Sequence, residues 1–322
     1  MQQVTVRVPG SCGELLQGSI DDQDFLISCP INLYSQVSVH FTEAEKRVII
    51  NKNNFSAEST FKTKFAVKKL LDYYNFKQKS IKINLTSQLI TGIGMASSTA
   101  DISAALAAVM LLLKNKVEFK LLQKICLGLE PTDGVFLDGI RFFDHLEGQQ
   151  NYFIAGAPEL DILLLKEKGT VDSLEFNQSE KLANLNKSKE ENTKKSFQLI
   201  KKGLIDNNYQ LLGRGTTLSS LAHQKILFKE NLNKLLKIVK GRRHVYGVNI
   251  AHSGTIIGIL VAKDFAAEKL LKEIKMETKL EYLQRVKIIS GGIERRDQFG
   301  TPTWRKINCS STGKQSKSGS DY

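Results

Sequence analysis

Leu89-Ile90-Thr91-Gly92-Ile93-Gly94-Met95-Ala96-Ser97-Ser98-Thr99-Ala100-Asp101 is the stretch on which the reading of this chain turns. Before it, Ser80-Ile81-Lys82-Ile83-Asn84-Leu85 alternates polar and apolar residues, the period of a half-buried strand. After it, Ile102, Ala105, Leu106, Val109, Met110 and Leu113 recur at helical spacing and mark one apolar face. The stretch is therefore a strand-to-helix loop with two glycines, and its helix opens on Ser97, Ser98 and Thr99. Glycine lets the backbone approach a ligand closely. A helix start leaves amide N–H groups without intrahelical partners and carries partial positive charge. Hydroxyls add donors, and a serine oxygen can also bind Mg²⁺. The combination suits a phosphate group. The same residues also read as an ordinary loop closed by a Ser/Thr N-cap, and taken alone the stretch leaves both readings open.

The totals narrow the class. A chain of 322 residues, 41% hydrophobic and 25% charged, has the composition of a soluble globular protein of two domains or one large one. No run of about 18 apolar residues predicts a membrane span. The start, Met1-Gln2-Gln3-Val4-Thr5-Val6-Arg7-Val8, alternates like a strand and lacks the pattern of a signal peptide. Cys12, Cys29, Cys126 and Cys309 are scattered, with no metal-finger spacing, which predicts free thiols in a reducing cytoplasm. The net charge of +13 comes mostly from lysines spread among acids. Compact basic clusters occur only at Gly241-Arg242-Arg243-His244 and Glu294-Arg295-Arg296, and no aromatic residues interleave them. That argues against nucleic acid and for a field favouring small anionic substrates.

In chain order, Val4–Val8 predicts a first strand, and Pro9-Gly10-Ser11-Cys12-Gly13-Glu14-Leu15-Leu16-Gln17-Gly18 a tight, glycine-punctuated turn. Glu14 and Ser11 stand among those glycines, where a bare turn needs neither. Strands are expected at 25–28, 33–41 and 47–51, a helix at 61–74, the strand at 80–85, then the loop and its helix. A second helix at 120–129 runs into Leu129-Glu130-Pro131-Thr132-Asp133-Gly134, where Pro131 ends it. Strands follow at 140–144 and 162–166. From about 177 to 195 the residues turn polar, which reads as a solvated helix or connector and the domain boundary. Helices at 197–221, 226–239 and 265–276 and strands at 245–250 and 285–289 complete an α+β second half. The Ser/Gly/Lys-rich tail from 307 reads as disordered.

Three features now stand in order: a glycine-rich turn after the first strand, a Gly-x-Gly-x-x-Ser-Ser loop opening a helix, and a late Ser253-Gly254 loop between strands. This order resembles the GHMP family of small-molecule kinases. The family's central loop, Pro-x-x-x-Gly-Leu-Gly-Ser-Ser-Ala-Ala, matches Leu89–Ala100 at Gly92, Gly94, Ser97 and Ser98, with Met95 and Ala96 enlarging the spacing. Where most members have Pro-Gly-Lys, this chain has Pro9-Gly10-Ser11-Cys12-Gly13-Glu14. Together with Glu130-Pro131-Thr132-Asp133 it is similar to the L-threonine kinase branch, over roughly residues 1 to 300.

The resemblance implies an α+β, GHMP-kinase-like, two-domain architecture. It consists of an N-terminal ATP-binding domain of the ribosomal-protein-S5-like fold (1–175), a C-terminal α/β sandwich domain (176–306) and a basic tail (307–322). ATP phosphates would lie on Gly92, Gly94, Met95, Ala96, Ser97, Ser98 and Thr99. Ser98 (or Ser97) and Glu130 would hold Mg²⁺, a hard cation that takes oxygen ligands. Asp133 would accept the proton of the attacking hydroxyl or only orient it, although Pro-Thr-Asp-Gly is also a common turn sequence. Ser11, Gly13 and Glu14 would contact the acceptor, Glu14 its ammonium group. The implied activity is ATP-dependent phosphorylation of L-threonine, the product O-phospho-L-threonine supplying the aminopropanol linker of adenosylcobalamin. The motifs read ATP rather than the acceptor side chain, so another small alcohol such as homoserine stands as the alternative. So does a non-catalytic binding protein of the same fold.

Overall fold

Two long strands carry the fold in a computed structural model that describes residues 3–43, 48–52, 57–170, 181–297 and 303–308. β1 (Gln3–Ile20) and β2 (Gln23–Thr42) form an antiparallel hairpin turned at Asp21 and Asp22, both in the left-handed region. Val4, Val6 and Val8 point inward, as their alternation requires, and from Val8 to Ser19 β1 is buried on both faces. The Pro9–Gly18 segment is not the turn expected of it. β1 continues through it, with register irregularities between Pro9 and Leu16 that let the strand bend while the ladder persists. The strands expected at 25–28 and 33–41 likewise join into β2.

β3 (Val48–Lys52) and β4 (Ser80–Ser87) are parallel, linked by helix α1 (Ala57–Tyr73), and β4 pairs with β2. Helix α2 (Ser97–Lys114) lies against β1 and β2 with nearly every residue buried. By length and composition it is apolar enough to cross a bilayer, yet here it forms the centre of the larger core. α3 (Phe119–Leu127) leads to the Glu130–Asp133 loop, followed by β5 (Ile140–Phe143), β6 (Asn151–Ala155) and β7 (Leu160–Lys166). Helices α4 (Lys181–Ser188), α5 (Glu190–Ile205), α6 (Tyr209–Ala222) and α7 (Leu232–Val239) precede β8 (Val245–Ile250) and β9 (Ile256–Ala262). α8 (Glu268–Glu277), β10 (Glu281–Lys287), β11 (Glu294–Arg296) and β12 (Trp304–Lys306) close the chain.

The main sheet runs β10-β7-β9-β8-β1-β2-β4-β3, with β5 and β6 attached at β2, and β11 and β12 at β1. A second core fills the face where α7 and α8 cover β7, β8 and β9. β1 joins β8 through a single paired position, Glu14 opposite Ile250. The expected boundary near 175 falls among residues 171–180, outside the described residues, as does the tail beyond Asn308. The helix expected at 197–221 is two helices, broken at Asp206–Asn208, where Asn207 takes a left-handed φ of 51° and Asn208 caps α6 through Leu211 N–H. The helix expected from 226 begins only at Leu232.

Candidate active site

Three backbones meet at the head of α2. The amides of Ser11 and Gly13 donate to the carbonyls of Met95 (3.0 Å) and Gly94 (3.2 Å). Those of Thr255 and Ile256 donate to the carbonyl of Ile93 (2.9 and 3.1 Å). The first motif, the central loop and the late Ser253-Gly254 loop are thus one hydrogen-bonded unit. Gly94 has no room for a side chain: its φ is +92°, and a Cβ there would fall 2.2 Å from the Cβ of Ala251.

The helix begins without a side-chain cap. Ala96, the N-cap, sits in the left-handed region (φ 53°, ψ 30°), and the amide of Ala100 is the first to bond back, to Ala96 O at 2.9 Å. The amides of Ser97, Ser98 and Thr99 precede any intrahelical bond and stand at the positive end of the dipole. The left-handed Ala96 also corrects the loop's register. Gly-Leu-Gly-Ser-Ser falls on Gly94-Met95-Ala96-Ser97-Ser98 with no enlarged spacing, and alanine occupies a position where backbone geometry favours glycine. Ser97 is buried and Ser98 half-buried, and the Ser98 Oγ is enclosed without a hydrogen-bond partner among the described residues. Thr99 Oγ1 accepts the Asp133 amide at 3.3 Å, which ties the Glu130–Asp133 loop to the same helix turn.

Glu130 lies just past the end of α3 and is nearly buried rather than a surface acid. Its Oε2 pairs with Lys62 Nζ of α1 at 2.9 Å. Thr132 holds the loop, donating its hydroxyl to Glu130 O and its amide to His145 O. Asp133 then faces β2, where Ser28 Oγ donates to its Oδ1 at 3.1 Å. Ser28 is the direct cross-strand neighbour of Glu14, and directly opposed residues share a face of the sheet. Burial, then the nearby Glu14 charge, push the Asp133 carboxyl up to about 7, with Ser28 opposing and Glu130 adding to the rise. Burial raises Glu14 to about 7 as well, opposed by the His252 amide, Lys229 and Lys189. The two acids therefore form one coupled pair that holds a proton near neutrality.

Glu14 is anchored from one side. Its Oε2 accepts both the amide of His252 (2.8 Å) and His252 Nδ1 (2.9 Å). Ser11 is fully buried and its Oγ, like that of Ser98, has no hydrogen-bond partner among the described residues. Gly13 is buried and contributes its amide to the loop contact. Among the described residues no group of three or more His, Cys, Asp or Glu side chains forms a metal cage. Mg²⁺ in phosphate sites needs only one or two protein oxygens, and the orphaned Ser98 Oγ together with Glu130 fits that requirement.

The structure gathers the glycine loop, Glu14, Glu130 and Asp133, each singled out by the sequence, around the head of α2. Lys62, Ser28 and Lys189 join them from segments with no motif, through strand pairing or helix packing. The polar stretch at 177–195, expected to be solvated, holds Asn186, Lys189 and Thr193 buried. Cys12, Cys29 and Cys126 are buried free thiols, each pushed upward by burial and so unreactive.

With this geometry in place, the known proteins that resemble the chain can be compared with it. Residues 60–137 match the GHMP kinases N terminal domain. The crystal structure of homoserine kinase from Cytophaga hutchinsonii superposes with a TM-score of 0.67 at 16% identity, covering 92% of this chain and 98% of that one. The chain is a phosphotransferase with an alcohol group as acceptor, built on the two-domain α+β fold of the GHMP kinases. More particularly, it is similar to the L-threonine kinase of Citrobacter freundii, 28% identical over 89% of this chain and 98% of that protein. It is also similar to that of Salmonella typhimurium, 29% identical over 89% and 94%.

Proposed function

We propose that the protein is an ATP-dependent L-threonine kinase that forms O-phospho-L-threonine, and that this product supplies the aminopropanol linker of adenosylcobalamin. The observation that carries the reading is the hydrogen bond from the Asp133 amide to Thr99. It sets a half-buried acid beside the first turn of α2, whose free amides suit an anion, the arrangement that transfer between a phosphate and a hydroxyl requires. Phosphoryl transfer depends on positioning and on charge stabilisation.

The amides of Ser97, Ser98 and Thr99 and the loop from Gly92 to Ala96 receive the triphosphate. Ser98 Oγ and Glu130 would hold Mg²⁺, which when bound neutralises charge on the phosphate oxygens. Asp133 takes the proton of the acceptor hydroxyl as the new O–P bond forms and the bond to ADP breaks. Ser28 fixes the orientation of that carboxyl. Threonine is a zwitterion, and Glu14 offers an acid for its ammonium while Ser11 Oγ offers a donor for its carboxylate. An ATP donor and reduced, buried thiols fit a cytoplasmic setting.

The test is formation of phosphothreonine from ATP and L-threonine by the purified protein, with L-homoserine and uncharged alcohols in parallel. ADP release with another alcohol and none with threonine would reject the acceptor. Absence of release with every alcohol would reject the proposed reaction.

A further inference from the structure

Behind Glu14 lies a chain of buried polar groups that the transfer step does not use. His252 is fully buried, in the loop that follows β8. A carboxylate only accepts, so His252 Nδ1 carries the hydrogen given to Glu14 Oε2. Its Nε2 then accepts from Ser219 Oγ of α6 at 3.1 Å. His223, at the end of α6, donates from Nε2 to the His252 carbonyl at 2.8 Å, which leaves its Nδ1 to accept from Lys189 Nζ at 3.2 Å. Lys189 also donates to Gln17 O at 2.8 Å, so its ammonium is fastened to β1 three residues beyond Glu14. Lys229 reaches the same loop and donates to Gly254 O. Lys189 thus bridges β1 and His223, and His223 holds the backbone of the residue whose ring and amide both donate to Glu14. Both hydrogen bonds that His252 gives this carboxylate fall on Oε2, and the Glu14 amide is the other backbone donor close to it.

We propose that His252, fixed by Ser219 and by the Lys189–His223 pair, is a positioning residue that locks Glu14 so that Oε1 receives the ammonium of an amino-acid acceptor. It thereby makes the enzyme select aminated over deaminated hydroxy acids. This rests on the kinase reading and deepens it. Burial, with Lys189 and Lys229 nearby, keeps the His252 ring neutral, so its contact with Glu14 is a hydrogen bond rather than an ion pair. A neutral donor orients the carboxylate without cancelling its charge. Once Glu14 is ionised its charge remains for the ligand, where a charge-assisted bond is stronger than a neutral one. Lys189 and Lys229 favour the ionised form of Glu14.

The test uses two substrate pairs that differ only in the ammonium group: L-threonine against 3-hydroxybutyrate, and L-homoserine against 4-hydroxybutyrate. For each enzyme the readouts are the kcat/KM ratio within a pair, the KM for ATP and, by calorimetry, acceptor affinity without turnover. The wild type should prefer the aminated member of at least one pair by about 100-fold. His252→Leu, which removes the side-chain donor, should reduce that ratio about tenfold or more through acceptor KM, with ATP KM unchanged. His252→Asn, which keeps an N–H near the Nδ1 position, should restore most of it. Ser219→Ala frees the ring and should lower the ratio in the same direction, which keeps the test open if His252→Leu does not fold. A wild type that binds or uses both members of each pair equally overturns the proposal while leaving the kinase intact. So does a folded His252→Leu with an unchanged ratio, or an equal loss in His252→Asn. Phosphorylation of homoserine and not threonine, with its ammonium preference dependent on His252, rejects the threonine assignment and upholds this one.

Discussion

Asp133→Asn separates what this carboxyl does for turnover from what it costs the fold. Asparagine keeps the size, the Oδ1 that accepts from Ser28 and the backbone bond to Thr99, so the loop should stay in place. The side chain can no longer take a proton, and kcat should fall by about 10²–10⁴-fold with ATP KM little changed. Stability should move the other way. Burial and Glu14 raise the folded-state carboxyl from its ordinary 3.8 to about 7. The native state therefore binds this proton more tightly than the unfolded chain. As pH rises from about 4 through about 7, the wild type must give the proton up in a site that disfavours the charge, and it loses stability. At 1.36 kcal/mol per pKa unit the ceiling is about 4 kcal/mol. Partial exposure of the side chain and solvent screening reduce it to ~2 kcal/mol. Asparagine escapes this penalty, so Asp133→Asn should be more stable than wild type by about that amount at pH 8 and nearly equal to it at pH 4.5. Urea denaturation at the two pH values, paired with steady-state kinetics, measures both effects. A variant that keeps more than a tenth of wild-type kcat, or a stability gain that is the same at both pH values, refutes the reasoning.

Other outcomes follow from the same geometry. The kcat/KM for the acceptor should climb as pH passes about 7, where the Glu14–Asp133 pair loses its shared proton; a profile flat from pH 6 to 8 would contradict this. Ser98→Ala and Glu130→Ala should each raise the Mg²⁺ concentration needed for half-maximal rate, and an unchanged requirement in both would sink the metal assignment. Gly94→Ala places a methyl 2.2 Å from Ala251 Cβ in a left-handed backbone and should cost about 2–4 kcal/mol. It should also raise ATP KM by displacing both neighbouring loops, and a melting temperature within a degree of wild type would show the packing argument to be mistaken.

The sequence carried the site's local parts and hid its assembly. The alternation of 80–85, the glycines at 92 and 94 and the apolar face from Ile102 declare a strand, a loop and a helix because each is a short-range pattern. Glu130 and Asp133 stand out through the family motif. Nothing local says that Ser28 lies opposite Glu14, since that depends on the register of a hairpin whose bulges fall within Pro9–Leu16. For the same reason the glycine-rich segment resembles a turn: the irregularities that bend β1 use the residues that make turns. The left-handed φ of Ala96 is hidden in the sequence because alanine carries no preference for it. Lys189 hides in a run of lysines and acids, where composition predicts exposure. Only the packing of α5 and α6 against β1 buries it.

The place of β7 in the sheet bears on how the molecule is made. Its core, Ile162-Leu163-Leu164-Leu165, is fully buried, and its two neighbours are β9, complete only at Ala262, and β10, complete at Lys287. Synthesis runs from the N-terminus, so on the ribosome this strand emerges with both hydrogen-bonding edges open. It must wait for about a hundred further residues before either closes. A nascent chain paused in that interval presents an apolar strand with free edges, the form most prone to pair with another copy. Yield of soluble enzyme in cells should therefore respond to chaperone supply and translation speed more than to the stability of the finished fold, and a chain cut at 175 would carry the same open strand permanently.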